Sequence, residues 1–228
     1  QSAEGGTIEQ LAFHRLAQPF NNATMSIAEQ CNNRKIQQQA VGKTINIKSM
    51  NFCSKCGSND IHLQMEQERF VRYICKACNT THYRNPLLVV GCLPIYKKQI
   101  LLCQRGIQPR KGYWNLPAGF MEMNETVTQG ALREAKEETG LDMELIRLHS
   151  MYTSRKKNQV MLHFLAKVKD LNYQLNTETI DIQLFDFDDI PWDQLAFHSN
   201  TFAIKNYLDS LQQNTQEMFI GDSLEESQ

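Results

Sequence analysis

The period with which apolar and polar residues alternate changes several times along the chain, and each change marks an element. Leu87–Tyr96 opens on the apolar run Leu87–Val90 and reads as a strand, followed by a turn at Lys97-Lys98 and a second strand over residues 99–104. A loop bearing Gly and Pro runs on through Gly112. Val127, Ala131 and Ala135 then recur every four residues, predicting a helix over about residues 125–139 with Asn124 as its N-cap and Gly140 at its left-handed end. Residues 160–168 and 182–187 read as further strands and residues 192–211 as a second helix. Because strands and helices do not alternate regularly, the expected architecture is α/β, a mixed sheet flanked by helices. The polar stretch after Leu211, with Glu217, Asp222, Glu225 and Glu226, reads as a frayed acidic tail over residues 212–228.

Upstream, residues 50–86 read as a small module with strand-like segments at 61–65 and 70–74, ended by the break at Asn85-Pro86. The larger unit covers residues 87–211. Residues 1–49 are rich in Gln and Asn and lack a sustained apolar period or a secretory apolar segment. A short helix over residues 24–39 is weakly patterned there. The extension reads as peripheral and dispensable for catalysis.

Composition narrows the functional classes. The chain is 228 residues long, 41% hydrophobic and 21% charged, with 24 basic against 25 acidic residues and a net charge of −1, so fibrous and charge-driven disordered classes are excluded. That balance gives no general reason to bind nucleic acid. No window approaches 18 apolar residues, so no membrane-crossing helix is expected.

The seven cysteines carry more information by spacing than by number. Cys53 and Cys56 form one C-x-x-C pair and Cys75 and Cys78 another, a pattern that predicts a structural four-thiolate Zn²⁺ site and a reducing, cytoplasmic location. A thioredoxin-like redox role would need one such pair at a strand-to-helix junction, not two. The module is too small to fold on its own core, so zinc is expected to supply its folding free energy.

The candidate chemistry lies on the first helix. Glu134, Glu137 and Glu138 sit at offsets zero, three and four, so three carboxylates converge on one face. Like charges so placed repel, and hard oxygen ligands favour Mg²⁺ or Mn²⁺ as the compensating cation. Arg133 lies about two turns beyond Glu125, suited to an ion pair that ties loop to helix.

Residues 119–141, GFMEMNETVTQGALREAKEETGL, resemble the Nudix box G-x5-E-x7-R-E-U-x-E-E-x-G-U at every fixed position: Gly119, Glu125, Arg133, Glu134, Glu137, Glu138 and Gly140. Seven such matches would arise by chance in roughly one chain in a million. The resemblance implies an α/β/α sandwich and hydrolysis of a nucleoside diphosphate linked to another moiety. It also implies metal ligation by Glu134, Glu137, Glu138 and the carbonyl of Gly119, and a structural Glu125–Arg133 pair. Glu138 is then the first candidate for the base that activates water, with Glu178 and Asp181 as late-loop alternatives.

The flanks, among them residues 82–86, 112–119 and 190–197, resemble the zinc-ribbon Nudix branch, and within it the plant plastid FAD and ADP-ribose pyrophosphatases over about residues 51–211. The Ser-Gln-Pro-Trp segment of zinc-ribbon NADH pyrophosphatases is missing, since no proline occurs between Pro117 and Pro191. FAD, cleaved to FMN and AMP, therefore leads, with ADP-ribose and NADH as alternatives. Tyr113, Trp114, Tyr152 and Phe164 are aromatic candidates for a ring contact, and Arg105, Arg110, Lys111 and Arg155 for phosphates. The implied partner is a small-molecule dinucleotide, with homodimerisation left open. A different class, a non-catalytic nucleotide sensor or nucleic-acid-binding module, is opposed by the complete carboxylate set.

Overall fold

A computed structural model describes residues 50–66 and 70–223, which divide along the chain into two compact units between Arg84 and Asn85. The helix expected over residues 24–39 lies outside the described residues. The smaller unit is a three-stranded antiparallel sheet of β1 (Ile61–Glu66), β2 (Phe70–Cys75) and β3 (Thr81–His82), in the register Ile61↔Cys75 and Tyr73↔His82. Each cysteine pair sits on a tight turn. Gly57 and Asn79, the residues that follow the second cysteine of each pair, take positive φ of 75° and 55°, which only Gly adopts freely and Asn tolerates.

The larger unit is built on a mixed sheet. Its strands are β4 (Leu87–Tyr96), β5 (Gln99–Arg105), β6 (Trp114–Asn115), β7 (Ala118–Phe120), β8 (Met143–Ser154), β9 (Gln159–Val168), β10 (Thr179–Asp186) and β11 (Phe219–Ser223). The order is β10-β5-β4-β9-β8-β11, with β6 on β5 and β7 on β4. Helices α1 (Val127–Thr139) and α2 (His198–Gln213) cover opposite faces. The two-residue period of the central strands explains why both faces are buried. Val90, Cys92, Leu101 and Cys103 pack with Ala131 and Ala135 of α1, whereas Leu93, Ile100 and Leu102 pack with Ala203 and Ile204 of α2.

Three expectations need correction. Helix α1 begins at Val127 with Thr126 as N-cap, because Thr126 and Gln129 form a reciprocal capping box: Gln129 N–H donates to Thr126 Oγ1 at 3.2 Å, and Thr126 N–H to Gln129 Oε1 at 2.8 Å. Asn124 instead occupies a left-handed turn at φ 67°. The second helix is split, residues 192–194 forming a 3-10 turn before α2 starts at His198. The supposed tail contains β11, parallel to β8 from Phe219↔Ser150 to Ser223↔Ser154. Its polar residues are anchored: Arg147 donates to the Glu217 carbonyl at 2.8 Å, and Arg155 pairs with Asp222 at 3.4 Å.

Two histidines are sealed in this larger core. His149 on β8 donates from Nε2 to the Ala203 carbonyl at 2.9 Å, and His163 on β9 lies 3.4 Å from the Ser150 hydroxyl. Burial, with His149 as a second contribution, pushes His163 down to about 4. Its folded-state value lies below the unfolded one, so the stability it contributes is present above pH ~6.5 and lost as pH falls through ~4. The unfolding free energy should fall by about 2 kcal/mol between pH 7 and pH 5 from this group alone. Urea titrations at the two values would measure it, and His163→Gln should flatten the difference; an unchanged slope would reject the assignment.

Candidate active site

The carboxylates of α1 are brought together by backbone spacing and then organised by one cation. Arg133 Nε and Nη2 donate to the two oxygens of Glu125 at 2.9 and 2.8 Å, and Nη2 also reaches the Phe120 carbonyl at 3.0 Å. Its Nη1 donates to Glu134 at 2.7 Å and Glu137 at 3.1 Å. The bidentate bond from Arg133, helped by the Glu122 N–H at 2.7 Å, holds the Glu125 carboxyl down at about 2. Glu125 and Arg133 thus lock the loop before α1 onto the helix.

Gly119 on β7 lies directly against Glu134. A Cβ there would fall inside the carboxylate of Glu134, so a larger residue would push that side-chain end off the bond it accepts from Arg133. Glu138 is partly buried, and Ala118 N–H donates to its Oε2 at 3.3 Å. Burial, then the charge of Glu134, pushes Glu138 up to about 8, against the opposing pull of the Ala118 N–H and Arg105. Burial also raises Glu134, against the bond from Arg133.

A cavity of about 200 Å³ is lined by Glu134, Glu137, Glu138, Asn176, Thr177 and Glu178. Four carboxylates around one small space offer oxygen donors of the kind a hard divalent cation takes, but, with Glu134 and Glu137 drawn to Arg133, their oxygens do not converge as the four thiols do. The cavity distinguishes the two late-loop acids. Glu178 lines it, whereas Asp181 accepts from Ile182 N–H and Gln183 Nε2, both at 2.8 Å, at a register shift of β10.

Asn176 is a site residue that pattern reading missed. Its Nδ2 donates to the Glu137 carbonyl at 2.7 Å, while its Oδ1 accepts from Glu178 and Thr179 N–H, both at 2.8 Å, so the loop is fastened to the end of α1. The signal was available in Asn-Thr-Glu-Thr, a sequence suited to an Asx turn.

Of the suggested substrate contacts, Arg105 faces Glu138 and Glu178 electrostatically and lies with Cζ 5.1 Å from the Phe197 ring centre. Tyr152 is only 6% exposed, its ring 5.3 Å from that of Phe202, and Arg155 is tied to Asp222; neither lines the acidic cavity. Trp114 and Phe164 are likewise core residues.

In the smaller unit the four Sγ atoms of Cys53, Cys56, Cys75 and Cys78 lie within 4.8 Å of one another. Cys53–Cys78 and Cys56–Cys75 are both 3.6 Å apart, close to the ~3.8 Å edge of a tetrahedron with Zn–S bonds of ~2.3 Å. The Thr80 hydroxyl, 3.1 Å away, draws the Cys78 thiol down while the bonds among the thiols push Cys56 up, so in the metal-free cluster Cys78 is the thiol that ionises first of this pair. This donor set fits zinc.

The sequence model of the NUDIX domain matches residues 85–203, and that of the Nudix N-terminal zinc ribbon matches residues 51–84. The chain belongs to the Nudix hydrolase family. Among this family's characterised members, the NAD-capped RNA hydrolase NudC of Vibrio atlanticus is 34% identical over 147 residues, which are 63% of this chain and 52% of that protein. The chain therefore spans about half the length of the NudC relatives it matches. An ADP-ribose pyrophosphatase of Methanocaldococcus jannaschii is 29% identical over 64% of this chain and 89% of its own length. The crystal structure of a Nudix hydrolase from Nitrosomonas europaea superposes with a TM-score of 0.72 at 38% identity, covering 76% of this chain and 99% of that one. Among the described residues of this Nudix chain, no helix is long and apolar enough to cross a membrane.

Proposed function

We propose that the chain is a divalent-cation-dependent pyrophosphatase that releases AMP from a dinucleotide containing an ADP group. The observation that carries this reading is the acidic cavity, in which Glu178 joins the three carboxylates of α1. The names of the relatives point the same way, since an NAD cap and ADP-ribose share the ADP-ribosyl group. FAD contains the same adenosine diphosphate, and the flanking sequence favours it as the flavin member of the set.

In this reading Glu134, Glu137 and Glu138 hold Mg²⁺ or Mn²⁺, with the Gly119 carbonyl as a further ligand. Bound cations offset the negative charge of a pyrophosphate and make a nearby water more acidic. Arg133 keeps Glu134 and Glu137 at fixed positions, and Glu125 holds Arg133 in turn. Glu178 accepts the proton of the attacking water, because it is the one lining carboxylate that faces the α1 trio from another element. Asn176 fixes the backbone that presents it.

AMP release from ADP-ribose, NADH and FAD, each with Mg²⁺ or Mn²⁺, tests the function directly. Glu178→Gln should lower kcat by about 10²–10⁴-fold with little change in KM, while Asp181→Asn should stay within about threefold of the parent. Equal losses in both would remove Glu178 from its role. No turnover of any of the three substrates would reject the reading as a whole.

A further inference from the structure

Every nitrogen of the Arg133 guanidinium is engaged, and its two halves have different partners. Nε and Nη2 donate to the two oxygens of Glu125 and to the Phe120 carbonyl, which fastens the side chain to the loop before α1. Nη1 alone reaches carboxylates that line the acidic cavity, Glu134 Oε1 at 2.7 Å and Glu137 Oε2 at 3.1 Å. A guanidinium carries five N–H donors, so this pattern leaves none over. The oxygens that a divalent ion needs are therefore drawn toward a cation the chain already supplies. Among the described residues, donor atoms converge within 4.8 Å at the four cysteines, and no three carboxylates do so.

The contacts of Arg133 differ in how firmly they are held. The Glu125 bond is bidentate and its carboxylate side chain is 13% exposed, the strong geometry for a guanidinium. Glu134 is 14% exposed and lies against Gly119. Glu137 is 58% exposed and makes the longer of the two Nη1 bonds. An exposed pair of this i,i+4 kind is weak. Glu137 is thus the carboxylate that an entering ion takes from Arg133 most easily.

We infer that Arg133 is an internal counter-cation that competes with the divalent ion, so that loading the site transfers Glu137 from Nη1 to the ion while Glu125 keeps its grip on the rest of the guanidinium. The inference rests on the proposed function in one respect, that carboxylates of α1 ligate a divalent ion. It adds a regulation of that site: each ion that enters displaces a contact already made, so the ion is held weakly and exchanges readily. The grip of Arg133 on Glu137 belongs to the chain before loading, and the grip of Glu125 on Arg133 to the chain throughout.

The test is Mn²⁺ binding to the full, zinc-loaded chain without substrate, read by electron paramagnetic resonance of the free ion. Arg133→Lys keeps the charge but loses the fork that holds two carboxylates, so it should bind Mn²⁺ about threefold more tightly than the parent. A residue that only arranged the ligands would give weaker binding. In the Glu137→Gln background the contested contact is gone, and the gain from Arg133→Lys should shrink to within about 1.5-fold. Because the substitution also loosens Glu125, the parent chain is read directly as well, by ¹⁵N NMR of the Arg133 guanidinium. Saturating Mg²⁺ should speed hydrogen exchange with water at Nη1 by about tenfold or more and at Nε by less than about twofold. An Nη1 group as protected with the ion bound as before it overturns the inference. If none of these proteins binds Mn²⁺, the cation site falls and the inference with it; if all bind it alike, only the competition falls, and AMP release from ADP-ribose is untouched.

Discussion

Replacing Glu138 with glutamine is expected to lower Mg²⁺-dependent AMP release by about 10³-fold or more and to raise the Mg²⁺ concentration needed for half-maximal rate. The same substitution should stabilise the metal-free protein. In the metal-free chain, burial and Glu134 push Glu138 up to about 8 from an ordinary value of 4.5. Across that window the folded state holds a proton that the unfolded state has released, so the stability from this group is present below pH ~4.5 and lost as pH rises through ~8. Glutamine can still accept the bond from Ala118 N–H and carries no charge, so the slope should disappear. Thermal unfolding of parent and variant at pH 5 and pH 8, beside a kinetic Mg²⁺ titration, separates a functional loss from a folding defect. Retention of activity within tenfold would remove Glu138 from the cation site.

Zinc removal should have the largest effect on structure. The sheet of β1, β2 and β3 has few buried side chains, Tyr73, Cys53, Cys75 and His82 among them, and structural zinc contributes on the order of 10 kcal/mol to small modules. Cys75→Ser, or a strong chelator, should expose residues 50–84 to limited proteolysis while residues 85–223 keep their protection. Cys75 is the informative choice because it is fully buried and its strand pairs with β1 at Ile61. A cleavage pattern unchanged by both treatments would show that the thiols are not joined by metal.

Legibility in the sequence followed the range of the interactions involved. Strand β4 is read correctly end to end because both of its faces are buried, which produces one long apolar run. Strand β8, which the pattern does not reveal, carries register shifts at Leu145/Arg147 and Leu148/Ser150 that break the two-residue alternation. Strand β11 is short and polar, and its place depends on partners about 70 residues away. The carboxylate trio was legible because one helix turn sets its spacing. The presence of Glu178 and not Asp181 in the cavity lining, the grip of Asn176 and the burial of Tyr152 against Phe202 are tertiary facts. No local pattern could supply them. A cavity lined by Tyr113, Lys157 and Phe197 is the extreme case, since those residues meet only after three loops are in place.

Arg133 has a consequence for how the protein is made. With no metal present, its guanidinium already engages Glu125, Glu134 and Glu137, so a nascent larger unit can complete its fold and wait for a divalent ion. The smaller unit instead places four thiols, and no carboxylate, within 4.8 Å of one another. If zinc fills the thiol cluster and a divalent ion the acidic cavity, biogenesis of this chain would be ordered, with zinc needed during folding and the second cation free to arrive after it.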